Sequence, residues 1–281
     1  MSDGNYDYEF KCDDCVRYLR DNPETFNLMV TSPPYNVGKD YGAAGKDRMK
    51  EPDYLAFLKE FSFAVSSSLA PNGSLFLNFG TQSGNQVLAH KVVMALTKHL
   101  KLHNTFHWVK SISLSKGGQE EVWDSSGHFS PSSSKKHPHG AHEYVWQFVR
   151  PEDSPVIGRL NLGVPYADKS NVKRWGHTGG RDRRCRGNLW FIPYKTIQKQ
   201  RSHPAPFPPE LVEYCIRIAN PVIEAEDPGG FREHLRYLKM LDPFCGEGNS
   251  AIAARKQGVG FYRGVDLNPD FVDMAQEHWR A

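Results

Sequence analysis

Apolar residues recur at helical spacing through Leu55, Leu58, Phe61, Val65 and Leu69, behind a proline at position 52, and predict an amphipathic helix that Pro71-Asn72-Gly73 ends. On either side the pattern tightens into short, almost continuous apolar runs, Asn27 to Thr31 before it and Ser74 to Phe79 after it, which read as buried strands. Strand, helix, strand predicts a parallel βαβ unit. The alternation returns near the far end, with a strand over Tyr237 to Asp242, a short helix over Ser250 to Gln257 and a strand over Phe261 to Leu267. Asn268-Pro269-Asp270 then reads as the capped start of another helix. The two ends of the chain are therefore expected to be halves of one open sheet. Between them, Ser111 to Ala141 is rich in Ser, Gly and His, shows no period, and is expected to be a long mobile loop.

At 281 residues, with 39% apolar and 24% charged, the chain is an ordinary folded protein of about two units, or one large α/β domain with insertions. No apolar run approaches the roughly 18 residues of a membrane span, and the acidic stretch Met1 to Asp14 is unlike a secretory leader, so a cytoplasmic protein with no membrane partner is expected. Five scattered cysteines fit a reduced compartment. The net charge of +3 says little, but its distribution is uneven. Residues 168 to 201 hold ten Lys or Arg against Asp168 and Asp182, with Trp175, Trp190, Phe191 and Tyr194 interleaved. A phosphate-facing surface has that composition, as does a solvated basic loop.

Two constellations carry chemistry. Asp242-Pro243-Phe244-Cys245-Gly246-Glu247-Gly248-Asn249 follows a predicted strand and opens a predicted helix, and Gly246, Gly248 and Ala251 match the spacing of a nucleotide-binding turn. Asp266, at the end of the next strand, is placed to accept hydrogen bonds from ribose hydroxyls. The sequence ends at Ala281, so the remaining strands of the sheet are expected from earlier sequence. The second constellation, Thr31-Ser32-Pro33-Pro34-Tyr35-Asn36, also follows a strand; its prolines lack N–H donors and stiffen the backbone, which leaves carbonyl oxygens to face a ligand. Taken singly, each could be a structural turn.

Together these residues resemble the amino-methyltransferases of DNA, in the permuted β arrangement where the catalytic motif precedes the cofactor motif. The catalytic tetrapeptide of that family reads Ser32-Pro33-Pro34-Tyr35 here, and its S-adenosylmethionine turn reads Asp242 to Gly248. Asp14-Cys15, Trp108 with Lys110, His142-Glu143-Tyr144 and Ser202 to Pro208 extend the likeness over nearly the whole chain. Asn249 departs from the usual Ser or Thr, and Asp13 from the usual Gly.

The resemblance implies a Rossmann-like class I methyltransferase fold, a mostly parallel seven-stranded sheet with helices on both faces. Residues 1–150 would form the catalytic half with the loop 111–141, residues 151–200 a target-recognition insertion, and residues 201–281 the cofactor-binding half. It implies S-adenosyl-L-methionine as cofactor, with Asp14 and Phe244 at the adenine, Asp266 at the ribose, and Ser202, His203 and Ala205 near the methionine moiety. Asp242, Pro243, Gly246, Gly248, Asn249 and Leu267 would complete that site. Double-stranded DNA would be the substrate, with Lys173, Arg174, Arg181, Arg183, Arg184 and Arg186 at its phosphates or bases, and a cognate restriction endonuclease a possible partner of a monomer or homodimer. Serine at the first catalytic position resembles the cytosine-N4 branch; adenine-N6 methylation is the alternative, and a silent DNA-binding regulator or an RNA or small-molecule methyltransferase are remoter ones. No metal site is expected, because Cys12-x-x-Cys15 lacks a second pair and the histidines at 128, 137, 139 and 142 lie in a polar stretch. Ser32 lacks a Gly-x-Ser-x-Gly elbow, and no Pro-Cys motif offers the thiolate of carbon-5 methylation.

Overall fold

A computed structural model describes residues 6–42, 45, 47–82, 84–115, 122–127, 135–138, 140–170, 172, 181–193 and 207–280. Its elements in chain order are β1 (Asp7–Cys12), α1 (Cys15–Arg20), β2 (Phe26–Thr31), α2 (Glu51–Ser68), β3 (Leu69–Gly80), α3 (Leu88–Leu96), β4 (Lys101–Val109), β5 (Ser111–Ser115), β6 (Val122–Gly127) and β7 (His142–Val149). They continue with β8 (Leu189–Phe191), α4 (Pro209–Ala219), α5 (Pro228–Tyr237), β9 (Lys239–Asp242), α6 (Asn249–Gln257), β10 (Phe261–Asp266) and α7 (Pro269–Arg280).

One eight-stranded sheet in the order β1-β10-β9-β2-β3-β7-β4-β8 carries the fold. The first five strands run parallel, β7 runs antiparallel to both its neighbours, and β8 is parallel to β4. The two predicted βαβ units do meet in one sheet, through the pairing of β9 with β2. Eight strands stand where seven were expected: the short β8 extends the edge beyond β4.

Successive residues of a strand face opposite sides, and the core divides accordingly. Leu28, Val30, Met240 and Tyr262 pack with α4, α5, α6 and α7; Met29, Leu75, Leu77 and Leu241 pack with α1, α2 and α3. Burial on both faces is why β2 reads as a continuous apolar run. The helix after β9 thus lies on one face and the helix after β2 on the other, so the junction of β9 with β2 is a topological switch point, where a cleft opens beyond the strand ends.

The stretch expected to be a loop over 111–141 contains a β5–β6 hairpin paired from Ser111↔Gly127 to Ser115↔Val122. The signal was the alternation Ser-Ile-Ser-Leu-Ser, an exposed ribbon's period of two hidden in a serine-rich composition. Tyr237 ends α5 rather than opening β9, while Asn268 caps α7 as expected, its Oδ1 accepting the Asp270 N–H at 2.9 Å. No helix among the described residues is long and apolar enough to cross a membrane.

Candidate active site

Thr31 ends β2, and the chain turns at once through Ser32, Pro33, Pro34 and Tyr35. Three side chains fix that bend. The Tyr54 hydroxyl, from the first turn of α2, donates to the Pro34 carbonyl at 2.7 Å, and Gln82 Nε2 donates to the Tyr35 carbonyl. Asn36, at φ 59°, exchanges two hydrogen bonds with the Met49 backbone, at 3.1 and 2.7 Å. The Pro33 carbonyl accepts no hydrogen bond among the described residues.

Within the bend, Ser32 Oγ donates to the Tyr35 hydroxyl at 3.1 Å, and that hydroxyl in turn donates to Glu143 Oε2 at 3.0 Å, with Asn78 Oδ1 at 3.3 Å. Lys110 Nζ holds the other Glu143 oxygen at 2.9 Å. Burial, followed by the Glu143 charge, pushes the Tyr35 hydroxyl well above its ordinary range, so it stays a donor. The Tyr35 ring packs against Phe79 with centroids 4.5 Å apart. Gly80 permits this approach, since a Cβ there would lie 3.0 Å from the ring.

The second constellation stands beside the first. Asp242, at the end of β9, is fully buried, and its Oδ1 accepts from Thr31 Oγ1 at 2.6 Å and from the Phe244 N–H at 3.1 Å, while Oδ2 accepts from Ser250. Burial pushes its carboxyl up to about 6 against the pull of those hydrogen bonds. Gly246 and Gly248 take φ of 49° and 86°, a region that glycine alone enters freely, and a Cβ on Gly248 would lie 3.0 Å from that of Ala275. The turn so shaped lets the Gly246 N–H donate to Asp266 Oδ2 at 3.0 Å, and Asp266 Oδ1 accepts from the Asn268 N–H at 2.9 Å. Burial raises the Asp266 carboxyl and these backbone donors oppose the rise, which leaves a positioned acceptor.

Both constellations line one cavity of about 300 Å³. Ser32 to Asn36 form one wall; Asp13, Asp14, Pro243, Phe244, Asp266 and Leu267 contribute another. Phe244 packs against Phe61 and against Phe57, which also lines the cavity, at 5.5 and 6.4 Å between ring centroids. Asp14 also caps α1, accepting the Arg17 N–H at 2.9 Å. Four expected cofactor residues, Asp242, Gly246, Gly248 and Asn249, stand behind the wall and shape it; Asn249 Nδ2 donates to the Phe207 carbonyl at 2.9 Å. Ser202, His203, Ala205, Lys173 and Arg174 lie outside the described residues.

The remaining arginines expected at DNA differ from one another. Arg183 donates to the carbonyls of Leu160 and Asn161, at 2.8 and 3.4 Å. Arg186 donates to the Leu162 carbonyl at 3.1 Å and lies over the Tyr214 ring, and Arg181 pairs with Glu226 at 2.8 Å. Arg184 is exposed and makes no ion pair among the described residues. No group of three His, Cys, Asp or Glu among the described residues is arranged to hold a metal ion.

Sequence reasoning missed Tyr54, Asn78, Tyr41 and Asp47, all at the bend or in the cavity wall. Tyr54 was masked by its place in the apolar stripe of α2, and Asp47 had no signal at all.

A family model described as DNA methylase matches residues 26–277. The type II methyltransferase M.ScaI of Streptomyces caespitosus is 26% identical over 280 residues, spanning 93% of this chain and 78% of that protein. M.SmaI of Serratia marcescens is 26% identical over 275 residues, spanning 90% and 84%. Among solved structures, the PvuII DNA methyltransferase (cytosine-N4-specific) matches 96% of this chain and 85% of its own with a TM-score of 0.64 at 17% identity. TTHA0409 of Thermus thermophilus, solved in complex with S-adenosyl-L-methionine, matches 97% and 93% with a TM-score of 0.55 at 20% identity.

Proposed function

This chain belongs to the DNA methylase family, and we propose that it transfers the methyl group of S-adenosyl-L-methionine to the exocyclic N4 amine of a flipped-out cytosine in DNA. The fold is the Rossmann-like class I methyltransferase arrangement, with its motifs in permuted order. The observation that carries the proposal is the single cavity lined by both the Ser32–Tyr35 bend and the Phe244–Asp266 wall.

The residues present fit the cofactor. Asp266 holds each oxygen with one backbone donor, which leaves acceptor capacity for two ribose hydroxyls; Phe244 offers an aromatic face to a purine; and a buried carboxylate, Asp47, has no hydrogen-bond partner among the described residues. When bound, S-adenosyl-L-methionine supplies an electrophilic methyl on a positively charged sulfur.

An exocyclic amine is a poor nucleophile because its lone pair is delocalised into the ring. Two acceptors at the bend counter this. Ser32 spends its proton on the Tyr35 hydroxyl, so its lone pairs are open to an incoming N–H, and the Pro33 carbonyl is unengaged among the described residues. Holding both amine protons draws the nitrogen toward tetrahedral geometry, a contribution of positioning and electrostatics without a covalent enzyme intermediate. Flipping the base costs a few kcal/mol, and stacking on Tyr35 would return about 1–3 kcal/mol of it. The hydrogen bonds at the far end of the Tyr35 ring hold it ready for that contact.

Cytosine is preferred over adenine because Ser32 occupies the first catalytic position. The basic segment 168–201 would position duplex DNA in the cytoplasm, with a cognate restriction endonuclease as a possible partner. Nucleoside mass spectrometry of DNA treated with the pure protein tests the reading. N4-methylcytosine is expected; N6-methyladenine alone would overturn the choice of base, and cofactor binding without methylation of any DNA would favour a silent regulator.

A further inference from the structure

Glu143 touches the catalytic bend from outside the cavity. Strand β7 runs antiparallel to β3 and β4, so its first residues lie at the edge where β2 delivers Ser32, and Glu143 pairs there with Gly80 and with Trp108. Gly80 makes the room: a Cβ on it would lie 3.3 Å from the Glu143 carboxyl and 3.0 Å from the Tyr35 ring. Glu143 Oε2 accepts from the Tyr35 hydroxyl at 3.0 Å, and Oε1 accepts from Lys110 Nζ at 2.9 Å. With the Glu143 and Lys110 side chains 16% and 23% exposed, this pair is screened far less than one on the surface.

The neighbours of the Tyr35 hydroxyl decide which way its proton points. An ionised carboxylate only accepts. The second neighbour, Asn78, presents Oδ1 at 3.3 Å, and its Nδ2 is committed to the Tyr144 carbonyl at 3.0 Å, which keeps the oxygen turned to the hydroxyl. Lys110 and Lys39, the cations in the Glu143 field, can only donate. Tyr35 therefore gives its single proton to this side, chiefly to the nearer, charged acceptor, and its oxygen is left to accept from Ser32 Oγ at 3.1 Å. Ser32 has one proton too, and spending it on Tyr35 leaves only lone pairs for the cavity. Were the chain reversed, Ser32 would be free to point its proton at the target amine, which needs an acceptor there.

We propose that Glu143 is a positioning residue: by taking the Tyr35 proton it sets the direction of the hydrogen bonds from Ser32 through Tyr35, and so holds Ser32 as an acceptor for the target amine. The assignment rests on the reading of the Ser32–Tyr35 bend as the amine site. In Glu143→Gln, Lys110 can only donate and so claims the amide oxygen, which turns the amide NH2 toward Tyr35. That NH2 competes with Ser32 for the Tyr35 oxygen, and the Tyr35 proton is left to Asn78 or to Ser32 itself.

Single-turnover methylation of unmodified bacterial genomic DNA by the full chain, at saturating S-adenosylmethionine, tests this, with the cofactor Kd measured alongside by calorimetry. Glu143→Gln should lower the rate about tenfold or more while the Kd moves less than about threefold. Because Glu143 acts through the Tyr35 hydroxyl, the same change made on Tyr35→Phe should cost less than about twofold further. Lys110→Met breaks the ion pair but leaves the carboxylate facing Tyr35, and should lower the rate less than about threefold. An undiminished loss on Tyr35→Phe, or a loss in Lys110→Met equal to that in Glu143→Gln, would assign the effect to the ion pair and overturn the proposal. A Glu143→Gln rate near wild type, or equal weakening of rate and cofactor affinity, would overturn it too. A wild-type chain that methylates no DNA would instead overturn the reading of the bend, and the proposal with it. Should Glu143→Gln fail to fold, Glu143→Met removes the acceptor at similar length and enters the same comparisons.

Discussion

Thr31 at the end of β2 and Asp242 at the end of β9, 211 positions apart in sequence, share a 2.6 Å hydrogen bond behind the wall of the cleft. Thr31 is followed at once by Ser32 and Asp242 by Pro243, so this contact ties the residues proposed for the amine to those proposed for the cofactor. Methyl transfer needs reacting atoms within a few tenths of an ångström of the productive geometry. On the proposed reaction Asp242 would therefore serve as a positioning residue, without lining the cavity itself.

Burial raises the Asp242 carboxyl from its usual 3.8 to about 6. Between those values the folded chain keeps a proton that the unfolded chain has released, so wild-type stability falls as pH rises through the window and levels off above it. Asp242→Asn lacks this titration. Its stability relative to wild type should accordingly rise by roughly 2–3 kcal/mol from about pH 4 to about pH 7. Denaturant melts at each pH check this, and a constant difference would show that the carboxyl is not shifted.

Tyr35→Phe keeps the ring against Phe79 and deletes the hydroxyl that accepts the Ser32 hydrogen bond and donates to Glu143. Losing a hydrogen bond to a charged partner such as Glu143 predicts a kcat about 10- to 100-fold lower, with the Kd for S-adenosylmethionine almost unchanged. Tyr35→Ala should lower kcat further, because stacking goes as well. Single-turnover rates and calorimetry separate the two quantities. A parallel loss of cofactor affinity would place Tyr35 on the wrong side of the cleft.

Asp266→Ala is expected to do the reverse. It removes the acceptor proposed for the ribose and frees the Gly246 N–H that shapes the turn, so the Kd for the cofactor should rise about 10- to 100-fold while kcat at saturating cofactor stays near wild type. Titration calorimetry and saturation kinetics give both numbers. Unchanged affinity would move the ribose elsewhere.

Periodicity made much of the scaffold readable. The stripe of α2, the apolar runs of β2 and β3 and the Asn268 cap of α7 follow from local sequence, because burial on both faces or a helix end demands those residue types. What stayed hidden was made by tertiary contact. Glu143 meets Tyr35 across 108 positions, and Asp47 looks in sequence like any solvated loop carboxylate until the fold seals it from water. Helix α5 opens with Pro228-Gly229-Gly230, which reads as a turn; the Asp227 side chain caps it by accepting the Gly230 N–H, and Phe231 and Leu235 alone bury its inner face.

The basic segment yields a prediction that separates neighbouring arginines. Composition treats Arg183 and Arg184 alike, as two charges in a +8 stretch. The structure does not. The Arg183 guanidinium donates to two carbonyls of the 160–161 turn, and a Cβ added to Gly163 would lie 2.7 Å from the Arg183 side chain, so this arginine ties the segment together. Arg184 is held by its backbone, paired with Val164 at 2.8 and 2.9 Å, and presents its side chain to solvent. Each phosphate contact adds close to one counterion to the salt dependence of DNA binding, so Arg184→Ala should reduce the slope of log K against log salt by about 1 while leaving the melting temperature near wild type. Arg183→Ala should lower the melting temperature, because the Leu160 and Asn161 carbonyls each lose one of their two donors and the segment loses that tie, and should alter the slope less. If the slope responds to Arg183 and not to Arg184, phosphates approach from the 160–162 side and the exposed arginine faces away from the duplex.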